Sequence, residues 1–489
     1  MITTLIKKEL IDHFLEGKIQ ILCFTIIVLV FVTTLINMNE YKKQNENYQN
    51  QVNQNLKKIK ENKVFATIEL KALRPPEIRS IICRGIENKV GNEFIYNFND
   101  IPIKAKKSIN INQYTLGFHS LDISTIFIWI ISLFGFLLSY DCVSKEKEEG
   151  TLRLLLTSNA SRASILISKI ISSIIVVSII IFASFFSITI LLITSPSIDF
   201  DVSIIEDFTI LMFVFILYGT FWVLIGTTLS IISVSSATSL IGAMAVWIFL
   251  LIILPGILTL CIGDTMLLED KREISKTITT LDESFHNSEN NLFDRNIQPI
   301  INAHQFVTMG GGTGSPPVWF PNEKTKEAML QYFIGQKLVR DDYAKNKFRL
   351  EEKKYLLPLK NKNKLSTTIS MLSPMNMTEI ITQKVCKTSY DNYFNFIDQF
   401  LLYRNLVNEF LYSKNAYNSY LWFTPNVDRF YENARSDPKL NIDLDNIPVF
   451  QYNKYYTNAL KAIALPIVLY LFFCLAITVV NIYLSKKMF

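Results

Sequence analysis

Charged residues are scarce in this chain: Asp, Glu, Lys and Arg make up 19% of its 489 residues, while hydrophobic residues reach 49%. Soluble globular domains carry about a quarter charged residues, so the deficit speaks against an ordinary soluble protein and divides the chain between two solvents. The formal net charge of +6 is small and dispersed, and no basic block interleaves with aromatics, so a nucleic-acid partner is not expected. Thiol chemistry is as thin, because the six cysteines Cys23, Cys83, Cys142, Cys261, Cys386 and Cys474 never approach a CxxC spacing, and no thiolate metal site follows. His13, His119, His286 and His304 are scattered, and neither HExxH, GxSxG nor the nucleotide cradle GxxxxGK[ST] occurs. These absences argue against a membrane-embedded enzyme and against an ATPase contained in this chain. No catalytic, cofactor-binding or metal residue is expected.

What is present is a set of long apolar runs. A helix needs about 20 mainly apolar residues to cross the hydrocarbon core, and six segments qualify: 19–38, 123–140, 170–194, 208–230, 240–262 and 462–484. No small-residue cleavage site follows the first, so it reads as a retained helix. Orientation follows from the basic residues in short loops. Segment 141–169 carries Lys145, Lys147, Arg153, Arg162 and Lys169, whereas the loop after the third run has Asp199, Asp201, Glu206 and Asp207 and no basic residue. Lys7, Lys8, Lys18, Lys486 and Lys487 agree, so both termini are expected to be cytoplasmic.

That orientation places 39–122 and 263–461 outside and leaves 141–169 as the one substantial cytoplasmic loop. Cys83 and Cys386 both fall outside, where an oxidising compartment permits a bridge that spacing alone cannot establish. Between Tyr41 and Lys63, sparse apolar residues at Tyr48, Val52, Leu56 and Ile59 fit one stripe of a solvated helix or, equally, a disordered tether. Phe396, Phe400, Tyr403, Val407 and Phe410 recur at helical spacing and predict a helix with an aromatic face, the usual signature of a core. Residues 310–321 form a breaker-rich loop without the Lys and Ser/Thr of a phosphate loop.

The six runs, so bounded, contain no Asp, Glu, Lys, Arg or His. Ion-coupled carriers place ionisable groups in the membrane, so an ion-driven carrier is disfavoured and energy would come from a separate subunit. Gly219, Gly226, Ser230 and Ser233 share one helical face that suits close helix approach, either as a seam between two subunits or as packing within the chain.

The cytoplasmic loop is the most informative stretch. Gly150 predicts a break, and Leu152, Leu155 and Leu156 would line one face of a short surface helix, with Ser158 or Ser161 free to cap the next span. The residues Glu146-Lys147-Glu148-Glu149-Gly150-Thr151-Leu152, then Leu154-Leu155-Leu156 and Ser161-Arg162, resemble the signature of ABC type-2 transporter permeases between their second and third spans. In that family the segment is the coupling helix that docks on the ATP-binding subunit. The resemblance implies docking or coupling roles for Lys145, Glu146, Glu148, Glu149, Gly150, Thr151, Arg153, Ser161 and Arg162. A departure stands at Asn159, where the family often has proline.

Further stretches resemble a bacterial subgroup of these permeases with a large outer domain. They are Leu372-Ser373-Pro374 with Tyr393, Phe396, Gln399, Tyr403 and Arg404, and Ile447-Pro448-Val449-Phe450. Ile2, Leu5, Ile6 and Leu10 before the first span resemble the family's elbow helix over 1–18. The implied protein is an α-helical integral membrane protein of six transmembrane helices, with an amphipathic elbow helix and a mostly helical extracytoplasmic domain, in the bacterial inner membrane. Implied partners are an ATP-binding subunit carrying ATP and Mg, a second permease copy or relative, the lipid bilayer, and an extracytoplasmic protein if the work is done outside. Export of a lipid-like cargo and mechanical work outside both remain open, beside a contrasting reading as an outer-face sensor without transport.

Overall fold

The structure, a computed structural model, describes residues 2–62, 64–96, 101–107, 122–151, 161–196, 198, 201–263, 268–303, 307–309, 318–320, 326–419, 422, 442–453 and 459–487. Helix α1 (Ile2–Leu15) ends at Glu16, whose extended backbone starts α2 (Gly17–Glu61) on a new axis. Helix α2 is continuous for 45 residues. At 1.5 Å per residue it is about 68 Å long, roughly twice the hydrocarbon thickness, so its polar second half stands clear of the apolar first half. The helix, not the tether, is therefore what residues 41–61 form, with Tyr48, Val52 and Leu56 half-buried and Ile59 buried along one stripe.

The chain continues through β1 (Leu70–Leu73) and β2 (Glu93–Tyr96), an antiparallel pair with Leu70 opposite Tyr96, to α3 (Ile123–Ser139) and the short α4 (Ser144–Glu148). Helices α5 (Arg162–Ile193), α6 (Val202–Ile232) and α7 (Ser236–Ile248) follow, the last running through a π-turn at Phe249–Ile253 into α8 (Leu254–Cys261). Beyond lie α9 (Leu268–Asn296), α10 (Gln298–Asn302), the strands β3 (Val307–Met309) and β4 (Val318–Phe320), α11 (Lys326–Glu351), α12 (Leu357–Ser370), α13 (Pro374–Val385), α14 (Tyr390–Ser413) and α15 (Ala459–Lys487). Among the described residues six helices are long and apolar enough to cross a membrane, and the protein is an α-helical integral membrane protein.

These helices outrun the apolar runs that announced them. Helix α5 starts at Arg162 and α6 at Val202, because backbone hydrogen bonding does not stop where hydropathy does. Lys169 and Asp207 consequently lie inside helices counted as charge-free from the sequence, each buried near a helix start. Helix α6 is the axis of the bundle and packs on α3, α5 and α15. Tyr218 donates to the Ile128 carbonyl at 2.8 Å, and Asn481 donates to the Leu224 carbonyl at 3.1 Å and to Thr227 Oγ1 at 3.0 Å. With side chains such as Phe24, Phe182, Leu260 and Phe472 exposed, the outside of the bundle is apolar, as lipid contact requires.

Helix α1 and the last turn of α15 both pack at the end of the bundle where α5 starts: Arg162 donates to the Lys486 carbonyl at 3.3 Å and Lys169 pairs with Glu9. At the other end a second apolar core joins material from two distant parts of the chain. Phe94 of β2 stacks on Phe400 of α14 with centroids 4.5 Å apart, and Tyr96 donates to Asn408 at 2.8 Å. Phe396, Phe400, Tyr403 and Val407 are buried in this core, so the aromatic face holds the layer together. The two stretches with family-like sequence meet here as well. Tyr403 donates to the Pro448 carbonyl at 2.9 Å, and Gln399 exchanges hydrogen bonds with the backbone of Asn453 at 2.8 and 2.9 Å. Helices α9 and α11 form an antiparallel hairpin, with Phe285 stacked on Tyr343 at 4.0 Å. The breaker-rich residues 310–317 and Pro321 lie outside the described residues.

Candidate functional site

The segment from Val143 to Glu149 links the ends of five helices. It leaves α3 and turns back at the end of α6, where the backbone N–H groups of Val143 and Ser144 both donate to Ser230 Oγ at 3.0 Å. Lys147 donates to the carbonyls of Ile231 and Ser233, the second at 3.2 Å, and so satisfies acceptors left free by the end of α6. Glu148 accepts the Ser236 N–H at 3.0 Å at the start of α7, where a carboxylate faces the positive end of the helix dipole. Glu146 pairs with Lys169 of α5 at 2.8 Å, and Lys169 pairs at 3.2 Å with Glu9 of α1. A push on this segment therefore reaches α1, α5, α6 and α7 through bonded contacts.

The proposed docking residues divide by exposure. Lys145, Glu148, Glu149 and Gly150 are exposed, whereas Glu146 is turned inward onto Lys169. Gly150 has φ of +74°, a left-handed turn that ends the segment and that other residues adopt at a cost. Thr151 donates to the Glu146 carbonyl at 3.4 Å. Ser161 is the cap of α5 and accepts the Ser164 N–H at 3.1 Å. Arg153 and the leucines 152, 155 and 156 lie outside the described residues, as do Ser158 and Asn159.

Beside the segment opens a cavity of about 730 Å³ between α1, α3, α4 and α5. Its walls carry six carboxylates, Glu9, Asp12, Glu16, Asp141, Glu146 and Glu149, against the three lysines Lys8, Lys145 and Lys169, so the local field favours a basic visitor. Burial pushes the His13 imidazole below its ordinary range, although Glu9 and Glu16 oppose the shift. It therefore adds no positive charge at neutral pH, and its Nε2 lies 3.5 Å from Ser173 Oγ.

Gly219 and Gly226 lie against other helices of the same chain. A Cβ on Gly219 would come within 2.5 Å of Val177, and one on Gly226 within 2.0 Å of Ser139 Oγ. Ser230 is buried under the segment, and Ser233 presents its carbonyl to Lys147. The small-residue face is thus occupied from within, by α3, α5 and the connecting segment.

The family model described as ABC-2 family transporter protein matches residues 3–487. The chain belongs to the ABC-2 transporter family. Among curated proteins none matches. As an ABC-2 permease, it is the membrane subunit of a transporter, in a family whose members work with an ABC ATP-binding partner.

Sequence reading passed over the residues that do most of the tying in this permease. In sequence Lys169 is legible only as a topology signal, Lys147 only as that and as a member of the family-like stretch, and Glu9 not at all, because the partners are remote: Glu9 and Lys169 are 160 residues apart. The far end holds a second set. Arg79 bonds Asp207 of α6, Glu77 at 2.6 Å and Ser203 at 3.1 Å. Arg84 bonds Glu40 and Asn37 of α2, each at 2.7 Å, and its backbone N–H donates to Asp122 at 2.9 Å. Helix α13 completes the closure. Met377, Ile381 and Val385 sink into the bundle core, and Tyr470 of α15 donates to the Pro374 carbonyl at 3.2 Å.

Proposed function

We propose that this permease is driven by ATP hydrolysis on a separate subunit carrying ATP and Mg, and that residues 143–149 are the lever receiving the stroke. The observation that carries the reading is the bonding of this one short segment to α5, α6 and α7 through Glu146, Lys147, Glu148 and Ser230, and through Lys169 of α5 onward to Glu9 of α1. Exposed Lys145 and Glu149 are the docking contacts, while Glu146, Lys147 and Glu148 transmit. In this reading both termini are cytoplasmic in a bacterial inner membrane, and the layer built on α2 and α14 is the extracytoplasmic domain of the corresponding permease subgroup. A pair of ATPase subunits would meet two permease copies, or this chain and a relative.

The stroke has two outlets, export of a lipid-like or other amphiphile and mechanical work on an extracytoplasmic partner. The second is favoured by the buried Arg79 and Arg84 contacts and by α13, which bolt the far layer to α2, α3, α6 and α15, so that bundle motion moves the layer too. The test is purification of the full chain from membranes in mild detergent, with partner identification and an ATPase assay, beside the charge reversal Lys145→Glu, Glu149→Lys. Recovery of an ATP-binding subunit that the variant loses supports the lever. Wild-type chain recovered alone, without ATPase activity, would overturn it.

A further inference from the structure

The far end contains a pair of groups that the proposed coupling does not use. Cys83 and Cys386 are 2% and 0% exposed, belong to the same apolar cluster, and are separate thiols in the structure. The backbones carrying them are locked together close by. Ile86 N–H donates to the Thr388 carbonyl at 3.0 Å, and a Cβ on the intervening Gly85 would lie 2.5 Å from that same oxygen. Each cysteine also closes a helical turn, Cys83 N–H on the Arg79 carbonyl at 3.2 Å and Cys386 N–H on the Thr382 carbonyl at 2.8 Å. Their neighbours are the charged clamp itself, with Arg79 one turn before Cys83 and Lys387, 3.9 Å from Asp207, directly after Cys386.

We propose that Cys83 and Cys386 form a structural disulfide that staples the segment after α2 to the junction of α13 and α14. The inference rests on the proposed orientation, which puts both residues on the oxidising side of the membrane. Thiol–disulfide exchange supplies the chemistry. One cysteine attacks an external protein disulfide as its thiolate and forms a mixed disulfide; the other then attacks the sulfur of the first. The S–S bond closes, two electrons and two protons leave with the external dithiol, and the balance is complete. Burial, and then the adjacent Cys83, raise the Cys386 thiol well above its ordinary range. Both sulfurs are out of reach of an external disulfide once the layer has closed, so exchange precedes closure, and the finished bond is shielded from reductants by the packing that follows.

The test counts thiols on the full-length chain. Membranes are quenched in acid, denatured in detergent and labelled with a polyethylene-glycol maleimide with and without prior reduction. Of the six cysteines, four should label without reductant and all six after it, and an unreduced digest should contain one peptide joining Cys83 to Cys386. Cys83→Ser should free Cys386, giving the same five-fold label in both conditions. Six labels without reduction would overturn the staple. A separate Leu402→Cys variant, at a 65% exposed position on α14, is labelled by an impermeant maleimide on spheroplasts. Labelling there with six free thiols sinks the staple and leaves the orientation standing, whereas protection of Leu402→Cys sinks the orientation itself.

Discussion

The two ends of the bundle are both held by charge, yet they are built differently. At the end where α5 starts, Lys169 bridges Glu9 and Glu146 on the wall of an open cavity of about 730 Å³, beside exposed Lys145 and Glu149. At the far end Arg79 and Arg84 are 3% and 8% exposed, and α13 fills the space between α3, α6 and α15. Lys169 is itself 5% exposed, so the ion pairs at both ends are buried and costly to part; the ends differ in their surroundings, an open cavity at the first and closely packed helices at the second. The first end therefore offers room into which helices can shift and the second does not, an asymmetry that suits the proposed lever and its load.

Substitutions should expose the difference. The largest effect is expected from Arg79→Ala, which strands Asp207 and Glu77 in a dry site and should cost about 3–5 kcal/mol. Thermal unfolding of the detergent-solubilised chain should show it, with partial recovery in Arg79→Met, Asp207→Asn. An Arg79→Ala protein as stable as wild type would mean the far end is not clamped. Lys169→Met should be milder, about 1–3 kcal/mol, because Glu9 and Glu146 line the open cavity and have room to turn toward it. Its sharper consequence is functional: the ATP-binding subunit should still copurify, but ATPase activity should no longer respond to the permease.

A pH series sharpens the contrast further. Burial raises the Asp122 carboxyl from 3.8 to about 6, against the opposing hydrogen bonds and charge of Arg84. The folded protein thus binds this proton more tightly than the unfolded chain, and stability should rise as pH falls, by about 1 kcal/mol between pH 7 and 5. Asp122→Asn should flatten that part of the profile, and an unchanged profile would count against the shift. The smallest effect on stability, within about 0.5 kcal/mol, is expected for Lys145→Glu, Glu149→Lys, since both side chains are exposed; binding of the ATPase subunit is where that variant should fail.

Much of the architecture was readable from composition and period alone. Apolar runs near 20 residues announce membrane helices because lipid leaves the backbone no other partner. The stripe at Phe396, Phe400, Tyr403 and Val407 marks a buried helix face for the same local reason, and Gly150 was readable as a break. The resemblance at residues 146–162 covers a stretch whose described part bonds α5, α6 and α7. It did not separate exposed residues from inward-facing ones: Glu146 and Glu149 read alike in sequence, and only the proximity of Lys169 turns one inward.

The sequence by itself thus determined the helices, the family and the stretch of chain that faces the ATPase in the proposed scheme, since each rests on neighbours within a few turns. Tertiary structure alone decided that α2 runs unbroken into the far layer and that two distant segments share one core. It also decided that Arg79 finds Asp207, and that Cys83 shares one apolar cluster with Cys386. Partners of that kind are 128 residues apart for Arg79 and Asp207, and no local pattern encodes them. What brings them together is the burial of apolar faces, which places the charges, and the cost of leaving a buried charge alone, which makes them pair.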